Sequence, residues 1–204
     1  MKRNRNQIVA ISKGNRKLGD LMNISISPRT CCPEDVPCAS DGCYALKAYR
    51  LYPDTRKAWS RNGRIAKRHP DSYFRQIAAR VAKIKPRLFR WHVAGDILNA
   101  DYLQGMCRIA EENPETHFLA FSKAFNIVNR YEDREAIPGN LVIVFSAWPR
   151  MKIDNPHGHR VAWMQDGTET RVPEDAIECH GNCETCGLCY ELPRLGVDVV
   201  FHKH

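Results

Sequence analysis

The first twenty residues are polar and basic, with Gly14 and Gly19 interrupting any long element, so they predict an arm or loop. Asn23 to Ser27 then alternates polar side chains with Ile24 and Ile26, the period of a strand that Pro28 ends. From Tyr44 to Tyr52 the positions Ala45, Leu46, Ala48, Tyr49 and Tyr52 share a helical face, which stops at Pro53. A basic helix over 54–69 is expected next. Phe74, Ile77, Ala78, Val81 and Ile84 then recur at helical spacing between a cap at Asp71 or Ser72 and Pro86.

The second half alternates more sharply. A mostly apolar run from Leu88 to Gly95-Asp96 predicts a buried strand, and Asn99 then caps a helix with Leu103, Met106, Cys107 and Ala110 on one face. Residues 117–122 predict a strand, 123–136 a helix, and 141–148 a very apolar strand of the kind covered on both faces. The segments 159–165 and 197–204 predict two more strands.

Strands alternating with helices define an α/β fold with a parallel sheet and helices outside. About six strands are too few for a complete eight-stranded barrel, which leaves an incomplete parallel (β/α) barrel or an open doubly wound sheet. The incomplete barrel is preferred, as a single domain over 1–204. It divides into the basic arm 1–20, a β/α core over 21–178, a cysteine-rich loop at 179–190 and a final strand at 197–204. In either architecture loops at the C-terminal ends of the strands build the site. Three such ends carry polar groups: the cysteines after the first strand, then His92, Gly95 and Asp96, then Ser122.

Composition narrows the class. With 204 residues and 43% hydrophobic content the chain suits one globular domain. It has no apolar run of membrane-spanning length and no apolar segment behind its basic start, so a cytoplasmic location without a membrane partner is expected. In that reducing compartment nine cysteines suit metal ligation better than disulfides. A net charge of +8 makes nucleic acid a candidate partner, weighed evenly against a solvated basic face. Arg50, Arg56, Arg61, Arg64, Lys67 and Arg68 would track phosphates, with Tyr52 and Trp59 for stacking.

The cysteines form two sets. Cys32, Cys38 and Cys43 follow the first strand, with Cys31 as a substitute for Cys32; three thiolates on one loop can hold three irons of a 4Fe-4S cluster and leave the fourth open. Cys179, Cys183, Cys186 and Cys189 supply four thiolates, enough to close a second cluster. Zinc is the alternative metal at either site. His69 and Cys31 are candidate fourth ligands for the first set, while Cys107 reads as a buried core thiol.

The cysteine loop, the "FRWHVAGDILNADYLQGMCRIAEENPETHFLAFSKA" stretch, the "CETCGLC" block and the closing "VVFHKH" together resemble the phage "gene product 88" family, from about Leu18 to His204. The layout is also similar, more distantly, to radical S-adenosylmethionine enzymes. That resemblance implies an open cluster on Cys32, Cys38 and Cys43 beside Tyr44, with Gly95 and Asp96 holding the amino group of S-adenosylmethionine. The loop here is C-x5-C-x4-C where those enzymes carry C-x3-C-x2-C, and Asp96 stands where they carry Glu.

The expectation is an iron–sulfur protein with redox or radical catalysis at the first loop, acting on a small-molecule substrate or exchanging electrons with a donor. His92 and Asp96 are the catalytic candidates; Gly95, Asp96 and Ser122 are candidates to bind cofactor. The alternative is a zinc-binding, nucleic-acid-binding protein without catalysis. No P-loop, dinucleotide fingerprint or Gly-x-Ser-x-Gly elbow points to other chemistry.

Overall fold

The computed structural model describes residues 7–15, 18–34, 36–40 and 42–202. The first six residues of the arm and the end of the last strand, His204 included, lie outside the described residues.

Eight strands form one mostly parallel sheet: β1 (Ile11–Ser12), β2 (Met22–Ile24), β3 (Leu88–Trp91), β4 (His117–Ser122), β5 (Leu141–Ala147), β6 (Val161–Gln165), β7 (Ile177–Glu178) and β8 (Val199–His202). Their order is β1-β2-β3-β4-β5-β6-β8-β7, with only β1 antiparallel to its neighbour, and β1 and β7 are left as open edges. Five helices connect them: α1 (Tyr44–Leu51), α2 (Pro53–Arg68), α3 (Pro70–Ile84), α4 (Ala100–Glu112) and α5 (Phe125–Glu132). Two single turns follow, α6 (Cys183–Cys186) and α7 (Leu192–Leu195).

The pleat sends alternate side chains to opposite faces. Phe89, Trp91, Phe118, Ala120, Ile143 and Phe145 take one face and pack against Ile65, Ile77, Val81, Leu103, Met106 and Val128 from the helices. Full burial of each of the larger of these side chains contributes roughly 1.5–3 kcal/mol. Leu88, Leu119, Val142, Val144, Ala162 and Val199 take the other face, under Leu18, Leu21, Tyr190 and Leu192. That second face is therefore covered by segments near the two ends of the chain rather than by a helical layer. The strand β5, apolar throughout, is buried on both sides as expected.

Several expectations need correction. Two strands beyond the six were not visible, because β1 and β7 are two residues each and carry no period. Part of the expected arm is thus sheet. Two amides explain why: Asn62, wholly buried on α2, bonds both the N–H and the carbonyl of Ala10, and Gln76 on α3 accepts from Val9 N. Helix α3 begins at Pro70, whose fixed φ suits the first helical position, so Asp71 and Ser72 lie inside the helix and the preceding His69 makes no side-chain cap. Tyr52 lies outside the buried face of α1. Asn99 does cap α4, accepting from Tyr102 N at 2.8 Å.

Candidate metal centre

Past Ile24 the ladder between β2 and β3 continues irregularly. His92 N donates to Ile24 O at 2.9 Å, Ile26 N to Ala94 O at 3.0 Å, and Asp96 N to Cys31 O at 2.7 Å. Two left-handed residues, His92 (φ 53°) and Gly95 (φ 84°), bend the chain to make these bonds. At Gly95 a Cβ would stand 2.3 Å from Ile26 Cγ1, so glycine is required for space as well as for φ. The start of the three-cysteine loop is thereby tied to the turn after β3.

Within that loop the adjacent cysteines separate. Cys31 is 2% exposed in the core, and Gly63 of α2 gives it room: a Cβ there would meet its sulfur at 2.9 Å. Cys32 instead lines a cavity of about 440 Å³ together with Cys38 and Cys43. Cys179, Cys183, Cys186 and Cys189 line the same cavity, and so do His92, Gly95, Asp96, Arg90, Lys123 and Tyr190. The two cysteine sets, far apart in sequence, meet in one chamber. Cys107 is buried in the core, and His69 lines neither this chamber nor the second cavity below.

The C-terminal set is placed by backbone contacts at both ends. Cys179 N donates to Val200 O at 2.9 Å, directly after β7. Glu184 N donates to Leu18 O at 3.0 Å, and the Glu184 carboxylate accepts from Asp20 N at 2.9 Å, which pins α6 to the N-terminal segment. None of the cysteines is in a disulfide. Among the described residues no three His, Cys, Asp or Glu side chains are gathered closely enough for a single metal ion.

Electrostatics follow from this crowding. Burial pushes the Cys32 thiol up to about 12, helped by Asp96 and Cys43 and opposed by Lys123. Burial likewise raises Cys189 to about 12; its three partner cysteines add to the rise and Arg90 opposes it. Cys38 and Cys43 share a hydrogen bond that favours the thiolate on Cys43; the N–H groups of Leu46 and Ala45 and the Lys123 ammonium lower it further. Cys38 keeps its proton, held up by that same bond and by burial.

Asp96 is buried, and its carboxylate accepts from Ile97 N, Ser122 Oγ and Lys123 N, each at 2.7 Å. Burial raises its pKa against those three bonds. Ser122 is 0% exposed and lines neither cavity; it holds Asp96 and accepts from Ala124 N, while α5 has no side-chain cap. His92 Nε2 pairs with Tyr102 Oη at 3.0 Å, but its Nδ1 is buried with no protein partner, as is Tyr190 Oη. His202 lines the chamber and meets Glu178 at 3.2 Å.

Sequence reasoning missed the two cations. Arg90 interrupts the apolar run of β3, and that interruption was the signal; its guanidinium lies 4.2 Å over the Phe121 ring. Lys123 only opens the segment expected to be helical, yet its ammonium donates to Ser146 Oγ at 2.8 Å and faces the first thiol set. A second cavity of about 940 Å³ adjoins the chamber, sharing Cys32, Pro33 and Lys123 with it. Asn99, Tyr102, Asn126 and Lys67 help line it.

These features define an α/β protein with an open, mostly parallel sheet and a thiol-lined chamber beside it. The chain belongs to the gene product 88 family, whose model matches residues 2–192. No curated protein sequence matches it. Among solved structures it is similar to a glycerophosphoryl diester phosphodiesterase from Parabacteroides distasonis, at 17% identity and a TM-score of 0.30, over 63% of this chain and 42% of that one. Among the described residues no helix is long and apolar enough to cross a membrane.

Proposed function

We propose that this chain is a cytoplasmic iron–sulfur protein in which the chamber holds two 4Fe-4S clusters, one on Cys32, Cys38 and Cys43 and one on Cys179, Cys183, Cys186 and Cys189. The sheet then reads as an incomplete barrel with cysteine-rich loops at the C-terminal ends of its strands. The single observation that carries the proposal is the convergence of seven thiols from two remote segments on one cavity, with Arg90 and Lys123 beside them. Positive charge nearby favours anionic thiolate clusters. Of the five buried side-chain polar atoms without a partner among the described residues, two, His92 Nδ1 and Tyr190 Oη, belong to residues lining the same space.

Iron fits this donor set better than zinc. Four thiolates around one zinc stand ~3.8 Å apart, given Zn–S bonds of about 2.3 Å. A cube places an iron before each sulfur and spaces the thiolates more widely, and seven cysteines grouped on two short segments suit two such clusters. An open iron on the three-cysteine set supplies redox or radical chemistry. Around it, Asp96 has three acceptor directions filled and keeps one for an ammonium, such as that of S-adenosylmethionine, while Ser122 fixes its orientation. His92 stays neutral and offers an acceptor or a donor to a substrate. The adjoining cavity gives a small-molecule substrate access to Cys32.

Anaerobic reconstitution, iron and sulfide analysis and electron paramagnetic resonance test the proposal. About eight irons and eight sulfides per chain are expected for two such clusters. Cys38→Ser should remove one signal and Cys186→Ser the other. Stoichiometric zinc without iron at both sites would overturn the proposal.

A further inference from the structure

The segment from Tyr44 to Arg68 is charged out of proportion to its length. Eight of its residues are Lys or Arg and only Asp54 is acidic, so α1 and α2 hold nearly all of the chain's net charge of +8. On α2 the buried residues Asn62, Gly63, Ile65 and Ala66 mark the inward face. Lys57, Arg61, Arg64 and Arg68 fall at i, i+4, i+7 and i+11, one stripe on the opposite side. Among the described residues only Lys57 of these eight cations has a carboxylate partner, Asp54 at 3.8 Å, and that pair is exposed. Lys57, Arg64 and Arg68 are exposed, whereas Arg61 is half-buried, with its Nε enclosed and unpartnered.

Apolar surface accompanies the charge. Tyr44 is 63% exposed, and Leu51 and Tyr52 are each 60% exposed, all on α1 or its junction with α2. Underneath, Tyr49 packs on Trp59 with ring centroids 6.5 Å apart and bonds Ser60, which fixes the two helices relative to each other. Tyr44 is held by a hydrogen bond from its hydroxyl to Val93 O, and Tyr52 is exposed at the start of α2; a row of cations on the same pair of helices as these rings matches a ligand that offers both phosphates and flat base faces. A duplex hides its base faces in the stack, and an acidic peptide has none to offer.

We infer that the α1–α2 face binds single-stranded nucleic acid, with Lys57, Arg61, Arg64 and Arg68 along the phosphates and Tyr44 and Tyr52 against unpaired bases. Helix α2, at 16 residues, is about 24 Å long, room for a handful of nucleotides. Tyr44 also lines the thiol chamber and Lys67 the adjoining cavity, so a bound strand runs past both. The inference does not rest on iron; binding and metal content are separate measurements, and each can fail alone.

Fluorescence anisotropy of the full chain with labelled dT20 at 50 and 200 mM salt tests it. With the four phosphate contacts named, affinity is expected to fall roughly 50-fold over that range. Arg64→Glu with Arg68→Glu should weaken binding strongly and flatten the salt dependence. Tyr52→Ala should weaken it roughly tenfold and leave that dependence unchanged. Circular dichroism verifies that the variants fold, and Arg130→Glu on α5 serves as a control expected to bind normally. A rU20 strand should bind as well as dT20, because phosphates and base faces are common to both. No binding at 50 mM salt, equal binding of a 20-base-pair duplex, displacement by polyaspartate at matched charge, or full affinity in Tyr52→Ala would each overturn the inference.

Discussion

His92 combines an unusual backbone with a buried, neutral ring. Its φ of 53° is unusual for a residue with a Cβ, and burial, with Arg90 nearby, lowers its pKa to about 3. In the unfolded chain a histidine titrates near 6.5. A depressed folded value means that its contribution to stability is complete above about pH 6.5 and is lost as pH falls toward 3. Between pH 6.5 and 5 this group alone should cost the protein about 2 kcal/mol. His92→Asn, which tolerates the left-handed backbone, should remove that part of the decline in urea midpoints measured across the range. An identical pH slope in wild type and variant would show that His92 is not the buried neutral group. The cysteines, Gly95, Asp96 and His92 were all legible at this scale, because their types and spacing are local. Arg90 and Lys123 were not, since a cation in a strand or at a helix start says nothing about which chamber it faces.

At the scale of elements, the link between α6 and the N-terminal segment is the most exposed to a single change. Gly19 has φ 70°, and a Cβ there would stand 2.2 Å from Glu184 Oε2 and 2.6 Å from its Cβ. Gly19→Ala should therefore push α6 away and loosen the second thiol set while leaving the first loop, tied to β3, in place. Reconstituted iron is expected to drop to roughly half of that of the wild type, with protease sensitivity rising at 179–190. Full iron loading in this variant would show that α6 does not need the contact. Helices and long strands were legible because their periods run over many residues; the short β1 and β7 were not, because a two-residue strand exists only through the partner that pairs with it.

For the whole molecule, the two faces of the sheet differ in what holds them. Helices α2 to α5 cover one face with a large apolar core, whereas the other depends on Leu18, Leu21 and the segment carrying Cys183, Leu188, Cys189, Tyr190 and Leu192. Removing metal with a chelator should therefore leave β3, β4, β5, α3 and α4 protected in hydrogen exchange and selectively expose residues 179–195. Uniform loss of protection would mean that the faces fold as one unit. Metal binding to the raised thiols Cys32 and Cys189 should also release protons, since each must give one up. By itself the sequence determined the α/β class, the succession of helices and strands, and the grouping of seven cysteines into two sets, because hydrophobic period and cysteine spacing are written along the chain. Only the tertiary structure decided that Cys32 rather than Cys31 faces the chamber, that both sets share it, and that β8 lies between β6 and β7. Those outcomes depend on packing between segments remote in sequence, 157 residues apart for Cys32 and Cys189, and no local pattern encodes it.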